Sequence, residues 1–466
     1  MNLSKVSFQE ICNPCLIIES FYSGHYEVAA DLALQLRRKG IEVYFCFISN
    51  NIPLGDYHIR FLPKRYLRMK EIKKINNILK SKSVDFINTP NLSESQINNC
   101  VNFSKKKFNN IYELKKYTYK GAPLGLSVLS TMFHIHKIAD INFKKKRTEI
   151  QKRLLSSSII FERCTFIKAK YKFKTIILMN GTSSTTLPID FVFNNTQKLI
   201  REVFFVKNEM KSSLNPLKIN YSGNFAKTIY MSCKDENKNK IKKSAYEYFD
   251  CNYQHNKDIS RFRKSQVNGI ANLKLKDYKK NKRIISYFSS SEDEFLSVRL
   301  QDCKESDWNQ FEAICALVNI VKNIPDTILC IRLHPNLKNK KYRNKQEFKK
   351  LCIANKIIVF DFNSAINSIE LIELSETNIF WDSTLVEDSA YRKKKNILLN
   401  KYFYKDLPLG LFASNKDELE KALFHDDYKL ELSKEIAEKI AFYRTNEGIS
   451  LKYLKELKNR KYIFSI

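Results

Sequence analysis

The chain has 466 residues, 43% hydrophobic and 12% aromatic, which is enough for two or three domains with their own cores and excludes a largely disordered or fibrous protein. Its 81 Lys and Arg against 49 Asp and Glu leave a net charge of +32. Only ten glycines are present, and their spacings build neither G-x-G-x-x-G nor G-x-x-x-x-G-K-[ST], so the usual dinucleotide and P-loop sites are excluded.

Taken in chain order, the apolar run Cys15–Ile18 predicts a buried strand, followed after Ser23-Gly24 by a helix with Val28, Leu32 and Leu36 on one face. Arg37, Arg38 and Lys39 in its last turn and Gly40 behind them suit a helix end. A second strand, Ile41–Ile48, completes a β-α-β unit, which forecasts a parallel sheet with a right-handed crossover. Residues 60–170 are rich in Lys and Asn, with helices predicted near 70–81 and 143–156; strands follow at Thr175–Leu178 and Val203–Val206. Residues 252–282 are polar and basic and read as a linker.

Beyond it the alternation is regular: strand Arg283–Phe288, helix 306–323, strand Thr327–Leu333, helix 341–354, strand Lys356–Phe360, helix Ser364–Leu374, strand Asn378–Trp381, helix Thr384–Lys393, strand Ile397–Leu399 and helix Lys416–Phe424. A final helical stretch, 430–459, is amphipathic. The predicted fold is α/β, with two Rossmann-like, doubly wound domains facing across a cleft. Their boundaries are 1–251, a linker at 252–282, 283–428, and helices at 429–466 that cross back toward the first domain.

Eleven cysteines lie scattered, most inside apolar runs, as reduced buried thiols of a cytosolic protein would. Cys12-x-x-Cys15 lacks a second pair at zinc spacing, and His134-x-His136 lacks a nearby third ligand, so no metal site is predicted. The first residues show no secretory signal, and no apolar stretch approaches the ~20 residues of a membrane span. The expected location is cytoplasmic, peripheral on the inner membrane face.

In an open parallel sheet, ligands bind beyond the carboxyl ends of the strands. In the second half these ends are unusually polar: Ser289-Ser290-Ser291-Glu292-Asp293-Glu294, then Arg332-Leu333-His334-Pro335-Asn336, then Asp382-Ser383-Thr384 with Glu387 following. Singly, each suits a structural role: a helix cap at Asp382 or Ser383, a hydroxyl turn at Ser289–Ser291, a strand-end histidine at His334. Together at one sheet edge they make a phosphate site without glycine, in which hydroxyls and a helix N-terminus receive the anion, Arg332 and His334 add cationic donors, and Glu387 accepts from a ribose. The acidic Glu292–Glu294 reads as a solvated loop.

These same strings resemble elements of bacterial capsule and surface-polysaccharide glycosyltransferases. Trp381 to Leu399 is similar to their S-T-x-x-x-E-A-x-Y-x-G-K-P-x-I, Arg332–Asn336 to their R-x-H-P-N, and Ser289–Phe295 to their S-S-E-D-E-[FY], over about 283–425. The sequence departs from the pattern at Asp388, where the family has Ala, and at Lys394-Lys395-Asn396, where the family has Gly-Lys-Pro. Asn180-Gly181-Thr182 resembles an acceptor-side N-G-R whose Arg is missing.

The resemblance implies a GT-B enzyme whose second domain binds a nucleotide-sugar through Ser290, Ser291, Arg332, His334, Asn336, Ser383, Thr384 and Glu387. The HP and Ser-Thr elements also resemble Kdo- and sialyltransferases, which favours a CMP-linked donor. The acceptor is a lipid-linked or oligosaccharide chain in capsule or surface-polysaccharide assembly. No separate cofactor is implied. An inverting transfer needs a base at the acceptor hydroxyl; His25, just after the first strand, is the first candidate and Glu19, at that strand's end, the second.

Two further readings belong to the charge. Much of it follows from abundant Lys, Asn and Ile, and a catalytically degenerate glycan- or membrane-binding assembly protein would also use it on an anionic membrane surface. No nucleic-acid module is recognisable, so nucleic acid is not an expected partner.

Overall fold

The computed structural model describes residues 11–20, 25–55, 62–136, 141–206, 209–215, 222–251, 266–279, 282–290, 308–335, 345–355, 357–381, 383–400, 404, 406–425, 428–446, 448–457 and 461–464. The first unit contains β1 (Cys15–Glu19), α1 (His25–Arg38), β2 (Val43–Phe47), α2 (Leu62–Ser81), β3 (Asp85–Phe86), α3 (Glu94–Ser104), α4 (Ile111–Lys115), α5 (Leu124–His136), α6 (Phe143–Lys170), β4 (Thr175–Met179), α7 (Leu187–Val192), β5 (Gln197–Val206) and β6 (Glu209–Asn215). The second contains α8 (Ser222–Ser232), α9 (Lys238–Tyr246) with a π-helical turn at Glu247–Cys251, α10 (Ile270–Lys279), β7 (Arg283–Phe288), α11 (Gln310–Val321), β8 (Thr327–Arg332), α12 (Lys345–Ala354), β9 (Ile358–Phe360), α13 (Ser368–Leu374), β10 (Thr377–Phe380), α14 (Leu385–Tyr391), β11 (Lys395–Leu398), β12 (Leu411–Phe412), α15 (Lys416–Phe424) and α16 (Leu430–Asn446). Three short strands follow: β13 (Ile449–Ser450), β14 (Leu454–Leu457) and β15 (Lys461–Phe464).

Among the described residues, the first sheet runs β13-β6-β5-β4-β1-β2-β3, parallel from β5 to β3, with β6 and β13 added antiparallel. The second runs β12-β11-β10-β7-β8-β9, parallel throughout. Both wind outward in two directions from their first strand. This is the doubly wound α/β architecture that the sequence predicts, with a topological switch point between β1 and β4 and another between β7 and β10.

The alternation of side chains along buried strands builds the layers. Leu16, Ile18, Cys46 and Ile48 join the core that includes Leu129, Leu154 and Ile189, from α5, α6 and α7. Cys15, Ile17, Val43 and Phe45 face the other way, onto Leu32 and Leu36 of α1 and Ile72 and Ile75 of α2. Gly40, at φ +80, turns the chain out of α1, and Ile41 N–H bonds back to the Leu36 carbonyl at 3.2 Å.

Several elements differ from the sequence reading. Residues 222–251, placed in the first domain, pack instead on the second sheet: Phe225, Ile229 and Phe249 share a core with Ile284, Phe288 and Phe380. Tyr391 and Arg392 hold Asp250 there, the hydroxyl donating at 2.8 Å. Within the stretch read as linker, Ile270–Lys279 is a helix, fastened by Gly269 and Ala271 N–H groups donating to the Glu370 carboxylate at 3.1 and 3.2 Å.

Helix α6 continues to Lys170 rather than 156, because Ser156 and Ser158 satisfy their hydroxyls on the carbonyls of Lys152 and Leu155 and so do not break it. The helix predicted over 430–459 stops at Asn446; Gly448, at φ +92, ends it, and Ile449–Ser450 extend onto β6. That return is fastened by Asp31 of α1, which accepts from Tyr453 N–H at 2.5 Å, and by Gln35, which donates to the Ser450 carbonyl at 2.9 Å.

Candidate functional site

The second sheet brings the three polar strand ends side by side. Phe288 is in register with Phe380 on one side and Arg332 on the other, so Ser289, Trp381 and Leu333 leave the sheet at one level. Ser289, buried, accepts a hydrogen bond at its Oγ from His334 N–H at 2.8 Å, which ties the β7 loop to the β8 loop. Ser290 is held through its backbone: its N–H donates to Gln310 Oε1 at 3.0 Å, and Gln310 Nε2 returns a bond to its carbonyl at 3.3 Å. Tyr287 OH donates to the same Oε1 at 2.9 Å. His334 is half-buried, Ser383 is buried and Thr384 is exposed. Ser383 Oγ accepts from Leu385 N–H at 3.3 Å, a hydroxyl turn one residue ahead of the helix N-cap, Thr384, whose own side chain makes no capping bond. The helix it starts is two turns long, Leu385–Tyr391, shorter than the predicted Thr384–Lys393. Ser291 and Asn336 lie outside the described residues.

Two of the charged candidates, Arg332 and Glu387, are engaged elsewhere. Arg332 is buried and turns its guanidinium toward the loop after β9, donating through Nη1 to the Asp361 carbonyl and through Nη2 to the Ser364 carbonyl at 3.2 Å. Burial pushes its pKa down to about 10, with Asp361 opposing. Glu387 is buried and accepts from Tyr404 OH at 2.7 Å and from Arg444 Nε and Nη2 at 3.0 and 2.6 Å. Burial alone would lower the Arg444 pKa; the Glu387 carboxylate, with Tyr248 and Tyr404, reverses this and holds it well above its ordinary value. Burial first, and then Glu387, pushes the Tyr404 phenol well up. The predicted ribose acceptor is thus one half of a buried ion pair with the helix that returns across the second unit.

At the switch point of the first sheet, Glu19 ends β1 fully buried, and its Oε1 accepts from Ser20 N–H at 2.8 Å. His25, half-buried, is the first residue of α1. Asn180 follows β4 at φ +55, and its Oδ1 accepts from Thr182 N–H at 2.9 Å and from the Thr182 hydroxyl. Thr182 therefore serves an Asx-type turn where the resemblance has an arginine.

The sequence reading did not single out the hydroxyls that close this edge. Thr185 Oγ1 donates to Ser20 Oγ at 3.0 Å across the switch point, and Thr131 Oγ1 accepts from Ser184 N–H at 2.7 Å. The hydroxyl run Ser183–Thr186, one turn beyond the end of β4, was the available signal. His136 is engaged with the Glu149 carboxylate at 2.8 Å, and among the described residues no three His, Cys, Asp or Glu side chains gather as a metal site. No described helix is long and apolar enough to cross a membrane.

No family model and no curated protein matches the chain. Among solved structures, the N-terminal domain of Candida albicans trehalose-6-phosphate phosphatase is similar at 11% identity over 95% of each chain, with a TM-score of 0.40. The Thermosulfurimonas dismutans KpsC β-Kdo 2,4-transferase is similar at 11% identity over 57% of this chain and 79% of its own, with a TM-score of 0.38. The Burkholderia multivorans α,α-trehalose 6-phosphate synthase is similar at 10% identity over 94% of this chain and 96% of its own, with a TM-score of 0.37. At such scores the fold of this chain stands on its own strand order.

Proposed function

We propose that the protein is a GT-B glycosyltransferase that moves a sugar from a nucleotide-sugar, CMP-linked by preference, to a lipid-linked or saccharide acceptor in capsule or surface-polysaccharide assembly. The observation that carries this reading is the convergence of Ser289-Ser290, His334 and Ser383-Thr384 on adjacent strand ends at the β7/β10 switch point, where doubly wound sheets receive nucleotides. In this reading His334 and the hydroxyls of Ser383 and Thr384 hold the donor phosphate. His25, with Glu19 as the second candidate, takes the proton of the acceptor hydroxyl as its oxygen bonds to the anomeric carbon. The bond from that carbon to the phosphate oxygen breaks, and the nucleotide leaves with the electron pair. The cytoplasmic face of the membrane is where such a donor and a lipid-linked acceptor meet.

The test is nucleotide release from a panel of CMP-, UDP- and GDP-sugars with a saccharide acceptor present. His334→Ala and Ser383→Ala should each lower the rate at least tenfold, and His25→Ala should lower it while leaving nucleotide binding intact. Release that is unaffected by His334→Ala and Ser383→Ala would sink the donor-site assignment. The engagement of Arg332 and Glu387 in internal contacts favours one alternative, a degenerate glycan- or membrane-binding assembly protein. It requires that the wild-type chain release no nucleotide from any donor.

A further inference from the structure

The net charge is not spread evenly. Residues 105–152 carry 12 Lys and Arg against 3 Asp and Glu, a ratio of four to one, where the whole chain has 81 against 49. Two of those acids are already used: Glu149 by His136, Lys146 and Arg153, and Glu113 by the Asn109 N–H at 3.0 Å.

The fold gathers the cations on one outcrop. Gln151 Nε2 donates to the Lys105 carbonyl at 3.1 Å, setting the loop after α3 against α6. Lys144 and Arg147 precede Gln151 by seven and four residues, on the same helical face. Lys106 Nζ lies 5.7 Å from the centre of the Tyr117 ring, which brings the Lys115-Lys116 step beside it. Lys105, Lys106, Lys116, Lys144 and Arg147 are all exposed. Beside Lys115 and Lys116 on α4 stands a ring open to solvent, Tyr112 at 60% exposure.

The outcrop stands beyond the working edge of the first sheet. Helix α6 passes the end of β2 at Arg163, whose Nη1 donates to the Ile48 and Asn50 carbonyls at 3.0 and 2.6 Å. From there to Lys144, at 1.5 Å per residue, the helix runs roughly 28 Å along its axis, away from the end of β2.

We propose that this outcrop, α4 with the loop after α3 and the first turns of α6, is the surface by which the protein docks on an anionic phospholipid membrane. A dense array of cations with an interspersed Tyr suits a lipid headgroup layer, where charge attracts and amphipathic rings settle at the interface. The surface stands on charge and placement alone; that the lipid presents the acceptor rests on the function proposed above.

The test is flotation of the full chain with vesicles of pure phosphatidylcholine and of phosphatidylcholine with about one-third phosphatidylglycerol. Wild-type protein should float only with the anionic vesicles and release as salt is raised. At about fivefold per cation, the variant Lys105→Gln/Lys106→Gln/Lys144→Gln/Arg147→Gln should lose on the order of 600-fold in partitioning. A control removing the same charge from exposed positions on α2 and just after it, Lys73→Gln/Lys74→Gln/Lys80→Gln/Lys82→Gln, should retain most of the binding.

Equal losses in both variants would show that bulk charge does the work, and no flotation of the wild type would remove the proposal outright. Binding to polyuridylate tighter than to vesicles, and lost in the first variant, would reassign the face to nucleic acid. Nucleotide binding by titration calorimetry keeps the two readings apart. It should be equal in wild type and the first variant, and its absence from both would remove the proposed function without touching the docking surface.

Discussion

Replacing Arg444 by Met removes both charge-assisted donors from Glu387 but keeps an apolar stem against Phe225, whose ring lies 5.9 Å from the guanidinium carbon. The carboxylate, 2% exposed, is left with the Tyr404 hydroxyl and no countercharge from α16. Breaking one side of a buried ion pair costs about 3–5 kcal/mol; the Arg444 side chain is 28% exposed, so the low end, about 3 kcal/mol, applies. For a domain of this size that is a fall of roughly 6–12 °C in melting temperature. The double variant Glu387→Gln/Arg444→Met removes both charges and should recover most of the loss, to within about 1 kcal/mol of wild type. Thermal melting followed by circular dichroism reads all three proteins. If Arg444→Met melted within about 2 °C of wild type, or the double variant melted as low as the single, the pair would not be the fastening described here.

Glu149 has its pKa held near 2, since His136, Arg153 and Lys146 together outweigh the upward push of burial. A folded value below the ordinary 4.5 stabilises the fold above pH 4.5, and this is lost as pH falls toward 2; Glu149→Gln should cost about 3 kcal/mol at neutral pH, and urea titrations should show the gap closing below pH 4.5. Gly125→Ala should prevent folding or cost more than about 4 kcal/mol, because the added Cβ would lie 1.9 Å from the Leu114 carbonyl oxygen; a melting temperature close to wild type would refute that packing. Lys393→Gly should raise the melting temperature by about 1–3 °C, since Lys393 sits at φ +53 and the ion pair with Glu431 that it gives up is exposed.

The second sheet was legible because its strands are short apolar runs closed by polar residues, and strand order then fixes which polar ends become neighbours. Ser290, His334 and Ser383 could be placed at one edge on that basis. The destination of a long side chain could not. Arg332 reaches carbonyls 29 and 32 residues onward, and Glu387 pairs with a residue 57 positions away. Neither distance leaves a periodic trace.

The same holds for Phe225 and Phe249, whose helices read as an extension of the first domain but find their apolar surface on the second. Lys393 marks a subtler miss. The resemblance puts a glycine at Lys394, yet the left-handed residue is Lys393, which carries a side chain where glycine is favoured.

The short strand β13 has a consequence for how the protein is made. β6 is complete once residue 215 has been synthesised, but its outer edge waits for Ile449 and Ser450, and the apolar face of α1 waits for Leu451, Tyr453 and Leu454. At the pace of the ribosome that interval is roughly 10–50 s. Throughout it the first domain holds an open edge and an uncovered apolar stripe, so a nascent-chain chaperone has its target there, and premature release before residue 449 would leave an aggregation-prone half rather than a smaller working protein.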